Sequence, residues 1–255
     1  MQILKYLLIA FIILPVIGTG QTSGVISYTS VMKMDRQLPP DLPDDVRKMI
    51  PKERKINKEL HFNKTAAIYK NGEQEKPEEG EFEGGERGRR FRMRMMGGRA
   101  NEQTYTNIET KATVKTREIM GKSFLIEDEP TIYQWKMTGQ KKQILEYLAM
   151  EATTAINDST SVTAWFTPQI PVSVGPGDLS GLPGAILEVA YDDIGKRTVT
   201  ATKVDMREIK EDEIKQPKKG KKVSQEEFEE IRKEKMKEMR GQRGRRGGFR
   251  ARRGG

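Results

Sequence analysis

The side chains able to carry chemistry in this sequence are few. There is one histidine, His61, and no cysteine. Thiol nucleophiles and thiolate metal sites are therefore excluded, and a two-histidine metal centre has no second ligand. A Ser-His-Asp triad would have to be built on His61, which stands beside Phe62 in an alternating segment and reads as a satisfied or surface histidine. No G-x-S-x-G, H-E-x-x-H, Walker loop or dinucleotide glycine fingerprint occurs. Met93, Met95 and Met96 are soft thioethers of the kind that hold Cu(I), but Arg92 and Arg94 lie among them and would repel the cation. Asp192-Asp193 could bind a cation weakly, and fits better as a turn whose side chains hydrogen bond to backbone. The pattern supports no catalytic residue, no metal site and no cofactor.

Charge offers more. The formal net charge is +9, and residues 240–255 contain seven arginines and no acid: Arg240, Arg243, Arg245, Arg246, Arg250, Arg252 and Arg253. The rest of the chain therefore carries only +2 (9 − 7), so the basic character belongs to a tail. An Arg-Gly segment neutralises phosphates or sulfates and can stack bases, with Phe91 or Phe249 as aromatic partners. The alternative is a solvated, solubilising tail. A second charged block spans residues 73–86, with seven Glu, one Lys and a net charge of −6. Basic residues from Arg87 to Arg99 follow it and could pair with it.

The N-terminus decides which polyanions are relevant. Lys5 precedes an apolar run from Tyr6 to Ile17, and Gly18 and Gly20 supply the small residues a signal peptidase reads. The run falls short of the roughly 20 residues a bilayer requires. It predicts a cleaved signal peptide over residues 1–20, hence an exported chain that does not span the membrane after cleavage. In that setting nucleic acid is not an expected partner, and lipopolysaccharide phosphates are.

The elements positioning these groups read as mainly β. Gly24–Met34, two short strands within Glu59–Lys70, Tyr105–Thr116, Gly121–Glu127, Thr131–Thr138, Ser161–Thr167, Ala185–Tyr191 and Thr198–Arg207 are β-branched or alternating segments, and Gln143–Ala152 leads into Thr153–Asn157. Connections of two to five residues predict an antiparallel meander forming a curved sheet or half-open roll. Residues 37–51 read as a loop with a short helical turn at 45–50. Residues 73–103 read as a disordered charged insertion, and Pro168–Gly184 as a Pro/Gly-rich loop. The β domain thus covers residues 21–215. Residues 216–255 form a basic linker, a charged helix opened by the Ser224/Glu227 capping box, and a disordered tail from Arg240.

One stretch resembles a known family. Gly181-Leu182-Pro183-Gly184-Ala185-Ile186 is similar to the GLPGLI motif of exported Bacteroidetes proteins. Trp165-Phe166, Pro168, Pro171 and Gly175-Pro176 match its lead-in. Gly24, Ile26 and Tyr28, the run Phe124–Asp128, Trp135–Thr138, and Ile144 with Tyr147 agree as well. Ala185 departs from the motif's second leucine, and Ala149 stands where many members have cysteine. The resemblance implies residence in the periplasm or at the outer membrane, often beside a TonB-dependent receptor, and implies no reaction. Gly181, Pro183 and Gly184 form a stiff turn delivering a strand, with Leu182 either a core anchor or part of a presented loop. Trp165, Pro171, Gly175 and Pro176 complete the candidate partner surface. The expected role is non-enzymatic accessory binding. Two alternatives stay open: a carrier with an apolar ligand in a concave sheet, and a polyanion binder acting through the Arg/Gly segments. A hydrolase that motifs do not reveal would need a pocket with paired carboxylates.

Overall fold

The computed structural model describes residues 21–33, 52–74, 102–128, 130–157, 160–193 and 196–248. The proposed signal peptide, the helical turn at 45–50, the thioether cluster and Arg250, Arg252 and Arg253 lie outside the described residues, as does the insertion from 75 to 101. Twelve strands and one helix follow one another: β1 (Gly24–Lys33), β2 (Glu53–Phe62), β3 (Ala66–Asn71), β4 (Gln103–Asn107), β5 (Thr113–Ile119), β6 (Lys122–Asp128), β7 (Lys136–Ile144), β8 (Tyr147–Asn157), β9 (Thr160–Thr167), β10 (Ala185–Asp192), β11 (Thr198–Met206), β12 (Lys221–Val223) and α1 (Gln225–Gly248).

The strands form one sheet in the order β12-β6-β5-β4-β3-β2-β1-β11-β10-β9-β8-β7. It consists of two antiparallel meanders, β1–β6 and β7–β11, welded where β11 pairs antiparallel with β1. β12 adds the only parallel pair among the described strands, beside β6. The mainly β, antiparallel expectation therefore holds, with several boundaries moved. Tyr105–Thr116 is a hairpin rather than one strand, because Asn107 Oδ1 accepts from Thr110 N and turns the chain. Thr131–Trp135 is not strand, and β7 starts only at Lys136. The expected insertion is too long at both ends: Gln103 opens β4, and Gln74 hydrogen bonds back to Asn57. Part of the basic linker, Lys221–Val223, is strand β12. The helix does not stop at Arg240. Its backbone continues to Gly248, and the sequence of its last turns is rich in arginine, the charge that the C-terminal end of a helix dipole favours.

The connection between β6 and β7 forces the sheet to roll. These strands sit ten neighbours apart in the sheet. On a flat sheet that is about 48 Å, at roughly 4.8 Å per strand. Asp128 and Lys136 are eight residues apart in sequence, which reach about 28 Å at most when extended. The edges must therefore curl towards each other, giving the half-open roll that the meander predicts.

Register defines the inner face. Ile26, Tyr28 and Ser30 on β1 share a face with Leu60, Lys58 and Ile56 on β2 and with Ala201 and Val199 on β11. Part of this face is a packed core. Ile26, Tyr28, Leu60, Phe62 and Ala201 pack with Ile170, Val172 and Val174 of the Pro/Gly-rich loop. Ala152, Val162, Ala164, Phe166 and Val189 pack with Leu179 and Leu182 of the same loop. The loop is thus a plug, fixed by Ile186 N donating to Val174 O and Ala185 N donating to Ile170 O. On the far flank Phe228 of α1 packs edge-on to Phe124, at 5.7 Å between ring centroids.

Candidate binding cavity inside the roll

Between the loop plug and the flank that carries α1, the inner face opens into a cavity of ≈ 670 Å³. The strands set its lining by simple alternation. On β2, Arg54, Ile56 and Lys58 point inward; opposite lie Met32, Ser30 and, through β3, Asn71 and Tyr69. On β4 and β5 the inward set is Thr104, Thr113, Lys115 and Arg117. The β6–β7 connection contributes Thr131 and Tyr133, the loop contributes Pro176, Gly177, Asp178 and Leu179, and Tyr191 and Arg197 flank the β10–β11 turn. Five inward lining residues are Lys or Arg (Arg54, Lys58, Lys115, Arg117 and Arg197) and two, Glu102 and Asp178, are acidic.

Several of these groups are held in place. Lys115 Nζ sits 2.7 Å from Asp178 Oδ2, tying the sheet to the loop. Tyr133 hydrogen bonds to the same carboxylate. Arg117 donates to the carbonyls of Gln103 and Thr116 and to Thr104 Oγ1. The Arg197 guanidinium carbon lies 3.8 Å from the centroid of the Tyr191 ring, a cation–π contact that restrains it. Burial pushes the hydroxyls of Tyr69, Tyr133 and Tyr191 above the usual phenol range, so all three stay protonated hydrogen-bond donors. The apolar carrier expectation thus meets a cavity of suitable size whose lining mixes apolar surface with polar and cationic groups.

The motif residues fall mostly outside this cavity. Leu182 is 2% exposed and anchors the inner core, so the core-turn reading holds for it. Gly184 has φ +150°, and a Cβ there would lie 2.0 Å from Thr167 O, so no other residue fits. Gly181 has φ +94° and donates its N–H to Ser173 Oγ. A Cβ on Gly175 would meet Ile186 Cδ1 at 2.7 Å. Pro171 and Pro183 are exposed, and only Pro176 of this set lines the cavity. Trp165 is half-buried on the opposite sheet face, where Lys142 Nζ stands 4.3 Å above its ring and 2.6 Å from Glu188 Oε1. The backbone of Arg240, Arg243, Arg245 and Arg246 belongs to α1.

His61 is remote from the cavity and only half satisfied: Nε2 hydrogen bonds to Glu59, whereas Nδ1 is buried without a hydrogen-bond partner among the described residues. It is 7% exposed on the outer face, with Nε2 at 2.9 Å from Glu59 Oε2 and Nδ1 at 3.3 Å from Glu213 Oε2. Two donors from Arg207, at 3.0 and 2.6 Å, hold Glu213 and keep its carboxyl down at about 2. Among the described residues no group of three or more histidine or acidic side chains is placed to hold a metal ion. None of their helices is long and apolar enough to cross a membrane.

Sequence reasoning missed the cavity lining because its cations are split between β2, β5 and the β10–β11 connection, far apart in sequence. The one available signal was inward-phase charge within strands, Lys58 in phase with Leu60 and Phe62.

Residues 153–188 match the model of a family described as a protein of unknown function, Porph_ging. The match takes in β9, the plug loop and the Gly181–Ile186 motif. No curated protein matches the sequence. Among solved structures, PNGF-II in a C2 crystal form is similar with a TM-score of 0.52 at 15% identity, over 82% of this chain and 32% of PNGF-II. This chain therefore spans about a third of that protein's length, and the likeness is one of fold. An uncharacterized conserved protein from Thermus thermophilus gives a TM-score of 0.38 at 7% identity, over 78% of this chain and 90% of that one. A LolA superfamily protein from Nitrosomonas europaea gives 0.32 at 8% identity, over 77% and 91%.

Proposed function

We propose that this chain is an exported, non-enzymatic binding protein of the GLPGLI kind that holds a small ligand inside its β-roll. The observation that carries the reading is the ≈ 670 Å³ cavity on the inner face, where a filled core would otherwise continue. That volume lies in the range of small-molecule sites, which combine an open concavity with a few fixed polar groups. Arg117, Lys115 and Arg197 are such groups, each restrained by its neighbours. The GLPGLI-like turn then has a structural role, since Leu182, Gly184 and the plug loop hold one wall in place. The assignment to the envelope rests on residues 1–20 and on the motif, and the pairing with a TonB-dependent receptor rests on the motif alone. The Arg/Gly tail would serve as a separate contact to polyanions such as lipopolysaccharide.

The test is native mass spectrometry of the full chain purified from envelope fractions. A co-purifying mass that disappears in Thr104→Trp, whose indole would project from the cavity wall, supports the reading. A wild-type protein that carries nothing, and whose melting no small molecule raises, removes it.

A further inference from the structure

We infer that the cavity selects a small organic anion, one whose carboxylate, sulfate or phosphate group meets the inner-face cations. The inference rests on the binding reading above and gives its ligand a chemical class. Five inward Lys or Arg against two carboxylates leave the lining at +3 (5 − 2). Inside the cavity Asp178 is engaged by Lys115, and on the other side of the sheet ion pairs join Lys142 with Glu188, Arg207 with Glu213, and Lys222 with Glu127. Like charges gathered in one concave, protein-walled space repel one another and focus a positive potential into it, which an incoming anion relieves.

The lining also carries what an anion needs besides charge. Arg117 is anchored to two carbonyls and Thr104, so little side-chain freedom remains to be lost on binding. Arg197 is held over Tyr191 at 3.8 Å, and its guanidinium is the kind of group that recognises an oxyanion at two points. Tyr69 and Tyr191 are kept as neutral phenols by burial, so they cannot repel an anion. Their rings, with Ile56, Val199 and Leu179, give an organic skeleton apolar surface beside the charges.

Paired probes test this by isothermal titration of the full chain: benzoate against benzyl alcohol, and glucuronate against glucose. Each pair keeps a similar skeleton and differs in charge. At least one acidic probe is expected to bind about tenfold or more tighter than its neutral partner in wild type and in Lys142→Gln, which lies on the other face. The Lys58→Gln/Arg117→Gln double variant is expected to lose that preference, and Arg54→Gln serves as a second cavity variant should the double variant fail to fold. Neutral probes binding as tightly as acidic ones overturn the anion inference and leave the cavity reading standing. Acidic probes binding undiminished in the cavity variants overturn it by placing the anion elsewhere. No binding of any probe overturns both.

Discussion

Trp135 donates its indole Nε1–H to the carbonyl of Ser180 at 2.8 Å, which joins the β6–β7 connection to the turn that opens the GLPGAI motif. Both segments lie outside the regular ladder, and each restrains the other. Trp135→Phe keeps most of the ring and removes the donor. It should cost about 1 kcal/mol, the usual net contribution of one hydrogen bond. Urea unfolding checks this; a midpoint equal to wild type would mean the bond contributes nothing.

Leu182→Ala should cost more. Leu182 is 2% exposed among Leu179, Phe166, Ile186 and Val189. Truncating a buried leucine leaves a void that the surroundings fill only in part, at about 3 kcal/mol. The loss should appear in the unfolding midpoint with little change in the denaturant slope. A cost under about 1 kcal/mol would mean that the loop is not a plug.

Two glycines in the same loop should respond in opposite degree. A Cβ on Gly184 would overlap Thr167 O at 2.0 Å, whereas a Cβ on Gly177 (φ +74°) has nothing within 4 Å. Gly184→Ala should prevent recovery of folded protein. Gly177→Ala should cost about 1 kcal/mol from backbone conformation alone. Comparable soluble yields and melting temperatures for the two variants would contradict the close approach at Gly184.

Acid should loosen the outer face through Glu213. Arg207 holds the Glu213 carboxyl at about 2 against an ordinary 4.5. As pH falls the unfolded chain takes up the proton first, so the stabilisation is complete above pH 4.5 and is lost towards pH 2. Glu213 is partly solvated, with 22% of its side chain exposed, which makes the contribution modest. Glu213→Gln should melt lower than wild type at pH 6, and the gap should close by pH 2. A gap that persists at pH 2 would mean that the effect does not come from the Glu213 charge.

The strands were legible in the sequence where alternation was clean and a turn residue punctuated it. Gly24–Lys33 and Thr198–Met206 fall within one residue of expectation. Alternation failed in Thr131–Thr138, where Ile132, Tyr133 and Trp135 look like strand residues. That stretch has to cross between the sheet edges, and topology overrides its propensity. The turn inside Tyr105–Thr116 was hidden because Asn107 and Thr110 achieve it without glycine or proline. Leu182 and the motif glycines were readable as a rigid core turn, since Gly-Leu-Pro-Gly has few backbone options. The cavity was not readable. Arg54, Lys58, Lys115, Arg117 and Arg197 become neighbours only through rolling, and no local pattern encodes that proximity.

The short β6–β7 connection acts as a drawstring. Twelve strands could lie open as a broad ribbon, and a few residues between Asp128 and Lys136 set how tightly that ribbon is gathered. Lengthening the cord would widen the bore without touching a hydrogen-bonded ladder; shortening it would narrow the bore. Among chains sharing this scaffold, changes of length at that point would retune the size of guest admitted while every strand stayed the same.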